Sequence, residues 1–286
     1  MRRKVATLLC LTLGAAAAQW NPLAGQPRVA NTGGHQFNLQ FLRPSGGPVV
    51  PFFEGWQPNP DGTYDLVFGY WNVNTEEVLD IPLGPDNFIE PREFDGMQPT
   101  HFLPVPEGDR RHWGVFAVTV PADFGTRDVV WTLRIDGEEF SVPGRLTSAP
   151  YQLDGWDQPG RLNVAPTIRF EEDGPLGIGF SGISAGPVEA RAGVPLHASV
   201  WTGRENPHRE DDRPILLRWM KHQGPGQVRF GTAETEVEAT GGEAANEFTF
   251  VGPGDYVLRV LAYNQISDFE FFCCWTNGYL RVHVAP

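Results

Sequence analysis

The spacing of glycine and proline limits this chain more than any other feature. Its 286 residues include 33 glycines and 26 prolines, spread evenly and without a collagen-like period. Both residues interrupt helices and favour turns. Between them lie short segments in which apolar residues alternate, such as 113–120, and beyond the N-terminus no long segment carries apolar residues at helical spacing. We therefore predict an all-β fold made of many short strands.

The first 18 residues have the pattern of a secretory signal peptide. Residues 2–4 are basic, residues 5–13 are apolar, and residues 15–18 are small and suited to cleavage. The apolar stretch is shorter than the ~20 residues that a membrane-spanning helix needs, so an uncleaved anchor is the weaker interpretation. We expect a periplasmic or secreted protein whose mature chain has no membrane span.

The charge of the chain restricts its partners. The formal net charge is −13, and removal of the three basic residues at positions 2–4 leaves −16. A strongly acidic protein repels phosphate backbones. Nucleic acid is therefore excluded as a partner, and anionic membrane surfaces are disfavoured.

Length and composition indicate two domains of ~100 residues each. We predict an extended arm at 19–47, a first β-sandwich domain at 48–145, a linker at 146–165 and a second β-sandwich domain at 166–286. The turn Asp136-Gly137 predicts a hairpin between strands 128–135 and 138–142. The remaining predicted strands are 63–71, 77–82, 113–120, 167–170, 188–190, 196–202, 215–222, 227–230, 247–250, 255–264 and 279–284.

Two resemblances support this organisation. The second domain resembles the immunoglobulin-like modules of bacterial surface and periplasmic proteins, with Trp219 as the core tryptophan and Tyr256, within residues 252–260, as the tyrosine-corner residue. It lacks the inter-sheet disulfide of antibody domains. Residues 59–133 resemble a β-sandwich module that recurs in secreted bacterial proteins without a fixed activity. The residues that carry this second resemblance are 61–64, 68–70, 72, 74, 82–87, 98–102 and 131–133.

The resemblances imply an all-β fold of two tandem immunoglobulin-like sandwiches after a signal peptide. They imply architecture far more than function.

Two long segments of the second domain are candidates for binding. Segment 204–212 lies between predicted strands 196–202 and 215–222, and segment 265–278 lies between the last two predicted strands. In an immunoglobulin-like sandwich these loops leave at the same end, and loops on a rigid frame often carry binding sites. Aromatic residues serve as anchors at protein interfaces. The candidate binding residues are His208, Phe269, Phe271, Phe272 and Trp275. An aromatic lid that folds over the sandwich end is the alternative.

The acidic run in the first of these segments is a candidate calcium site, because Ca²⁺ takes six to eight oxygen ligands. A solvated acidic loop is the alternative. The candidate ligands are Glu205, Glu210, Asp211 and Asp212.

The mature chain would keep two cysteines, Cys273 and Cys274, which are adjacent. In an oxidising compartment they can close a vicinal disulfide or remain two thiols, and the sequence leaves both open.

Signals for catalysis are weak. No zinc-protease motif, phosphate-binding loop or EF-hand loop is present. A hydrolase site near the domain junction would use His101 and His112 with the nearby acids Glu93 and Asp95. Aromatic residues at Trp56, Tyr70 and Trp71 allow a carbohydrate-binding face, although their alternation favours core packing.

These observations predict an exported, non-catalytic binding or structural protein that acts through surface loops. An accessory subunit of an envelope complex is one form of this role. The expected partner is an envelope protein or an extracellular glycan. No cofactor is expected apart from the candidate calcium ion. A hydrolase and a carbohydrate-binding module are the alternatives.

Overall fold

The structure is a computed structural model that describes residues 43–105, 111–147, 149–153, 165–204, 213–264 and 275–286. These residues all belong to one compact unit that spans 41–286. Within them the chain forms seventeen β-strands and two short 3₁₀ turns, Arg92–Phe94 and Ala149–Tyr151, and contains no α-helix. The all-β prediction is confirmed. The predicted signal peptide and nearly all of the predicted arm lie outside the described residues.

The first sandwich contains eight strands. They are β1 (Val49–Pro58), β2 (Tyr64–Asn72), β3 (Leu79–Asp80), β4 (Asn87–Glu90), β5 (His101–Phe102), β6 (His112–Val120), β7 (Val129–Ile135) and β8 (Glu138–Gly144).

These strands pair in the orders β1-β2-β6, β4-β7-β8 and β3-β5. The fully buried Trp131 lies at the centre of their core, with edge-on contacts to Phe68 and Phe116. Its indole nitrogen donates a hydrogen bond to Oδ1 of the buried Asn87 at 3.0 Å, so the ring is buried without losing its polar partner.

The second sandwich contains nine strands. They are β9 (Thr167–Arg169), β10 (Ile183–Arg191), β11 (Leu196–Gly203), β12 (Ile215–Gln223), β13 (Val228–Phe230), β14 (Glu234–Val237), β15 (Gly242–Phe250), β16 (Gly254–Asn264) and β17 (Trp275–Ala285).

They form a five-stranded sheet in the order β10-β17-β16-β12-β14 and a four-stranded sheet in the order β13-β15-β11-β9. The inner faces of the two sheets share one apolar core. Trp219 of β12 lies in this core and contacts Phe248 of β15, with 4.8 Å between ring centroids. The Tyr256 hydroxyl donates a hydrogen bond to the main-chain oxygen of Gly252 at 2.8 Å, which is the geometry of a tyrosine corner. The prediction of two immunoglobulin-like sandwiches is confirmed.

Local turn and bulge geometry explains where the strand predictions hold and where they miss. Asp136 and Gly137 have φ angles of 53° and 84°. A two-residue type I′ hairpin turn requires positive φ at both positions, so the predicted β7–β8 hairpin is confirmed. Strand β1 was not predicted, because a β-bulge between Phe53 and Gly55 shifts its register and interrupts the alternation that marks a strand. Strands β4, β5 and β14 were also missed, and each has four residues or fewer.

Buried hydrogen bonds join the two sandwiches. Five side chains of the second sandwich donate to main-chain oxygens of the first. The pairs are His222 to Met97 (2.8 Å), Gln223 to Gly96 (2.8 Å) and Gln98 (2.7 Å), Arg259 to Gly114 (3.2 Å), Asn277 to Gly114 (3.0 Å) and Tyr279 to Val115 (2.8 Å). The buried ammonium of Lys221 also pairs with Asp80 at 2.9 Å. A buried polar group that loses its hydrogen-bond partner destabilises the folded state. These contacts therefore fix how the two sandwiches pack together.

Among the described residues, no helix is long and apolar enough to cross a membrane.

Candidate functional site

The outer face of the five-stranded sheet is directed toward the first sandwich. Successive side chains of a strand point to opposite faces, so the neighbours of the core residues in β12, β16 and β17 lie on this outer face. The strand register places Arg259 opposite Met220 on one side and Tyr279 on the other. One row further along, Leu261 lies opposite Arg218. This face therefore alternates cationic and apolar side chains across three strands.

A cleft of about 750 Å³ opens where this face meets the first sandwich. The floor and one wall come from β12, β16 and β17, and the opposite wall comes from β6 and the residues after β5. The lining residues are Leu103, Pro104, Arg111, His112, Trp113, Arg218, Trp219, Met220, Ala233, Glu234, Arg259, Leu261, Tyr263, Asn264 and Trp275. Apolar and aromatic side chains thus alternate with three arginines.

Arg259 is the most buried cation of the cleft, with 3% of its surface exposed. Its Nε and Nη2 donate to Oδ1 of Asn277 at 2.9 and 2.7 Å, and Nη2 also donates to Gly114 O. Among the described residues, the hydrogen-bond partner of Nη1 is the sulfur of Met220, at 3.6 Å. Burial lowers the pKa of Arg259, yet an arginine stays protonated in proteins. A full positive charge is therefore held by neutral acceptors.

The other two arginines of the cleft are neutralised by carboxylates. Arg111 makes a bidentate pair with Glu54, at 3.0 and 2.6 Å, and stacks its guanidinium 3.6 Å from the ring centroid of Trp113. Burial raises the pKa of Glu54, and the Arg111 hydrogen bond and charge oppose this. Arg218 pairs with Glu234 at 2.8 Å.

His112 is neutral at the cleft wall. Burial, together with the positive charges of Arg259 and Arg218, lowers its pKa to about 4. Its Nε2 lies 3.1 and 2.9 Å from the main-chain oxygens of Leu103 and Pro104, and its ring stacks on Tyr70 at 4.6 Å. Because a carbonyl can only accept, Nε2 carries the proton, and the ring serves as a fixed donor.

Gly114 is the point where the cleft and the junction meet. Its main-chain oxygen accepts hydrogen bonds from Arg259 and Asn277, and the indole nitrogen of Trp275 lies 3.5 Å away. The residue has a φ of 49°, and a Cβ added here would lie 2.7 Å from the Trp275 ring and 2.9 Å from the Phe180 ring. Only glycine fits this left-handed, close-packed position.

Most of the site residues predicted from the sequence lie outside the described residues, so those predictions stand as predictions. They are Glu205, His208, Glu210, Asp211, Asp212, Phe269, Phe271, Phe272, Cys273 and Cys274. Trp275 is described: it lines the cleft, is half-buried and packs edge-on against Phe180 at 4.9 Å.

The strand ends that flank the two predicted binding segments lie side by side. Ile215 at the start of β12 pairs with Asn264 at the end of β16, and Tyr263 pairs with Trp275 at the start of β17. Arg204 donates to Asn264 Oδ1 at 2.9 Å. Asn264, Tyr263 and Trp275 also line the cleft. Both segments therefore leave the sandwich next to the cleft.

The residues of the predicted hydrolase site have separate partners. His101 pairs with Asp80 at 2.7 Å, whereas His112 bonds to main-chain oxygens, and Asp95 accepts from Gln98 at 2.6 Å. Across the described ranges, no group of three or more His, Cys, Asp or Glu side chains is arranged to hold a metal ion.

Two of the three aromatic residues predicted as a possible carbohydrate face, Tyr70 and Trp56, take part in packing. Tyr70 is buried, with its ring edge-on to Phe102 at 5.0 Å. Trp56 is partly buried and packs edge-on against Tyr64 at 5.8 Å. Core packing, the interpretation favoured from their alternation, describes both residues.

The cleft has little signature in the sequence. One local signal was present: Arg259 lies within the apolar run 256–262 of a predicted central strand, where a charged residue has to find buried partners. Those partners come from Asn277, 18 positions away, and Gly114, 145 positions away, so the local pattern could not supply them.

No protein-family model and no curated protein sequence matches the chain. Several solved structures are similar to parts of it. A PapD-like domain of human CEP192 has 8% identity and a TM-score of 0.31, covering 49% of this chain and 97% of that domain. The D0-D1 domain of intimin has 11% identity and a TM-score of 0.26, covering 82% and 97%. Domains 4 and 5 of the S-layer protein SbsC have 7% identity and a TM-score of 0.25, covering 56% and 66%. At such scores these similarities carry no argument about function.

Proposed function

We propose that the protein is an exported, non-catalytic binding protein that holds its ligand in the cleft between the two sandwiches. The cleft itself carries this proposal. Its volume of about 750 Å³ falls in the range of ligand sites, which are mostly apolar with a few placed polar groups. Buried hydrogen bonds fix both of its walls, so a ligand would meet a preformed site.

The chemistry of the lining supports binding rather than catalysis. General acid–base catalysis needs a titratable group with a pKa near the working pH, within reach of the substrate. Among the described lining residues, His112 is held neutral by burial, with its Nε2 bonded to carbonyls. Glu234 is bound by Arg218 and by the Tyr263 hydroxyl at 2.8 Å. Neither His112 nor Glu234 is therefore positioned to act as a general acid or base.

The signal-peptide pattern of residues 1–18 supports export. The partner would then be a protein of the cell envelope or an extracellular glycan, and service as an accessory subunit of an envelope complex is one such role. N-terminal sequencing of the protein from the periplasm or medium should give Gln19 as the first residue. Recovery only with an intact Met1 would contradict export by cleavage.

A cleft-filling variant tests the binding site. Ala233 lines the cleft, and Ala233→Trp should fill part of it. The matched control is Val251→Trp, because Val251 is exposed in the second sandwich and is not part of the lining. The immobilised mature chain would be offered detergent-solubilised envelope and a glycan array. We expect Ala233→Trp to retain at least tenfold less of any bound ligand than the wild type, and Val251→Trp to match the wild type. Equal retention by both variants would place the site elsewhere.

A further inference from the structure

Among the described residues, the charge of Arg259 has no anionic partner. Only 3% of the surface of Arg259 is exposed, and its described hydrogen bonds to oxygen go to one amide oxygen and one main-chain carbonyl oxygen. A buried charge usually finds an opposite charge, because neutral acceptors replace its lost hydration only in part. The Nη1 edge of Arg259 lies beside Met220, a residue of the cleft lining, and a thioether is a weak acceptor. The Nη1 edge can therefore still donate a hydrogen bond to a strong acceptor.

The described lining of the cleft carries a net positive charge in an acidic protein. Three arginines, Arg111, Arg218 and Arg259, line it, and two carboxylates, Glu54 and Glu234, pair with the first two. His112 adds no charge. One positive charge therefore remains among the described lining residues, while the whole chain has a net charge of −13. A low-dielectric cleft with this excess charge favours a ligand that brings one negative charge.

The walls around this charge are apolar. Leu103, Pro104, Trp113, Met220 and Leu261 surround the floor from both sandwiches. An inorganic anion would leave these apolar walls in contact with water, whereas a ligand with an apolar body would remove their surface from water.

We propose that the cleft binds an acid whose carboxylate is attached to an apolar or aromatic body, with the carboxylate on the Nη1 edge of Arg259 and the body against Leu261 and Leu103. This inference rests on the proposed function and names its ligand class. A free aromatic acid and an acidic side chain within an apolar peptide carry the same chemistry.

Isothermal titration of the mature chain tests the proposal with four probes: 3-phenylpropionate, its uncharged amide, acetyl-Phe-Asp-Phe-amide and inorganic phosphate. A charge-assisted hydrogen bond to a desolvated guanidinium should separate acid from amide by about tenfold or more in Kd. We expect at least one carboxylate probe to bind with a Kd of about 1 mM or lower. The tighter of the two carboxylate probes identifies the source, and phosphate should bind at least tenfold more weakly.

Variants assign the effect to Arg259. Arg259→Met keeps the side-chain volume, removes the charge and should weaken acid binding at least tenfold. Arg259→Lys keeps the charge but loses the fork, so its affinity should be intermediate. Arg281→Met is the control, because Arg281 lies on β17 outside the cleft lining and donates to Gly186. It should bind like the wild type. Near-UV circular dichroism would verify that each variant is folded, and Arg259→Lys keeps the test usable if Arg259→Met is not.

Three results would overturn the proposal: equal affinity for acid and amide, unchanged acid binding in the folded Arg259 variants, or no binding of either carboxylate probe at about 10 mM. Acid binding that appears only after Asp268→Asn and Glu270→Gln would also overturn it, because the chain's own carboxylates would then serve Arg259. If the Ala233→Trp variant still loses the envelope ligand while the Arg259 variants keep it, the proposed function stands and only the ligand class is wrong.

Discussion

Gly114→Ala should destabilise the protein, because it adds a methyl group at a left-handed position that is packed against two aromatic rings. The residue has a φ of 49°, and the new Cβ would lie 2.7 Å from the Trp275 ring. The left-handed conformation costs an alanine about 1–2 kcal/mol, and displacement of a packed ring costs about 1–3 kcal/mol. Restriction of the unfolded chain offsets about 0.4–1 kcal/mol. The expected net loss is about 2–4 kcal/mol.

For a unit of this size, each kcal/mol lowers the melting temperature by about 2–4 °C, so Gly114→Ala should melt about 5–15 °C below the wild type by calorimetry. Gly125→Ala is the matched control. Gly125 has a φ of 68°, and its nearest neighbour to an added Cβ is a main-chain oxygen at 3.8 Å. It should therefore show the backbone cost alone. If both variants melt at the same temperature, Trp275 and Phe180 do not pack against Gly114 as described.

Three further predictions concern other buried polar contacts. Tyr256→Phe removes the hydroxyl that donates to Gly252 and should lower stability in urea by about 1 kcal/mol; no change would show that this bond contributes nothing. Asp80→Asn leaves the buried ammonium of Lys221 without its ion-pair partner and should lower the melting temperature more than Lys221→Met, which removes the charge; the reverse order would contradict this. Burial lowers the pKa of His222 to about 3, so the unfolded chain takes up a proton below pH ~6.5 that the folded chain does not. The buried, neutral His222 therefore contributes stability that is complete above pH ~6.5. That stability is lost as the pH falls toward 3, at up to about 1.4 kcal/mol per pH unit. His222→Gln should reduce that slope in urea denaturation, and an equal slope would assign it to other groups.

Regular alternation made much of the second sandwich predictable. Strand 255–264 was predicted from its apolar positions and is observed as Gly254–Asn264, and strand 196–202 is observed as Leu196–Gly203. The core positions of Trp219 and Tyr256 were implied by the resemblance to immunoglobulin-like modules, and both residues are buried. The N-terminal part of the first sandwich was harder, because a bulge and flanking prolines disturb the alternation in β1.

The cleft could not be predicted in the same way. Arg259, Leu261 and Tyr263 alternate with core residues, and such positions normally face solvent. Their neighbours depend on how one finished sandwich docks on another, which is decided by contacts such as that between Arg259 and Gly114. Local sequence patterns indicate the periodicity of strands and the positions of turns, but they do not indicate how one sandwich packs on another. The loop segments 204–212 and 265–278 were therefore predicted as the binding region. The structure adds a concave site beside the strand ends from which these segments leave.

The two sides of the hydrogen bonds at the junction differ in how easily a mutation can remove them. The second sandwich contributes side-chain donors, among them Asn277 and Tyr279, while the first contributes main-chain oxygens such as those of Gly114 and Val115. A carbonyl group is encoded by every codon, whereas an amide or a phenol is encoded by few. Mutation should therefore be tolerated better at the main-chain acceptors of the first sandwich than at the donors of the second. Transplanting the junction to a new protein would require the side chains of the second sandwich and, from the first, those of Asp80 and Thr100, which also pair across it.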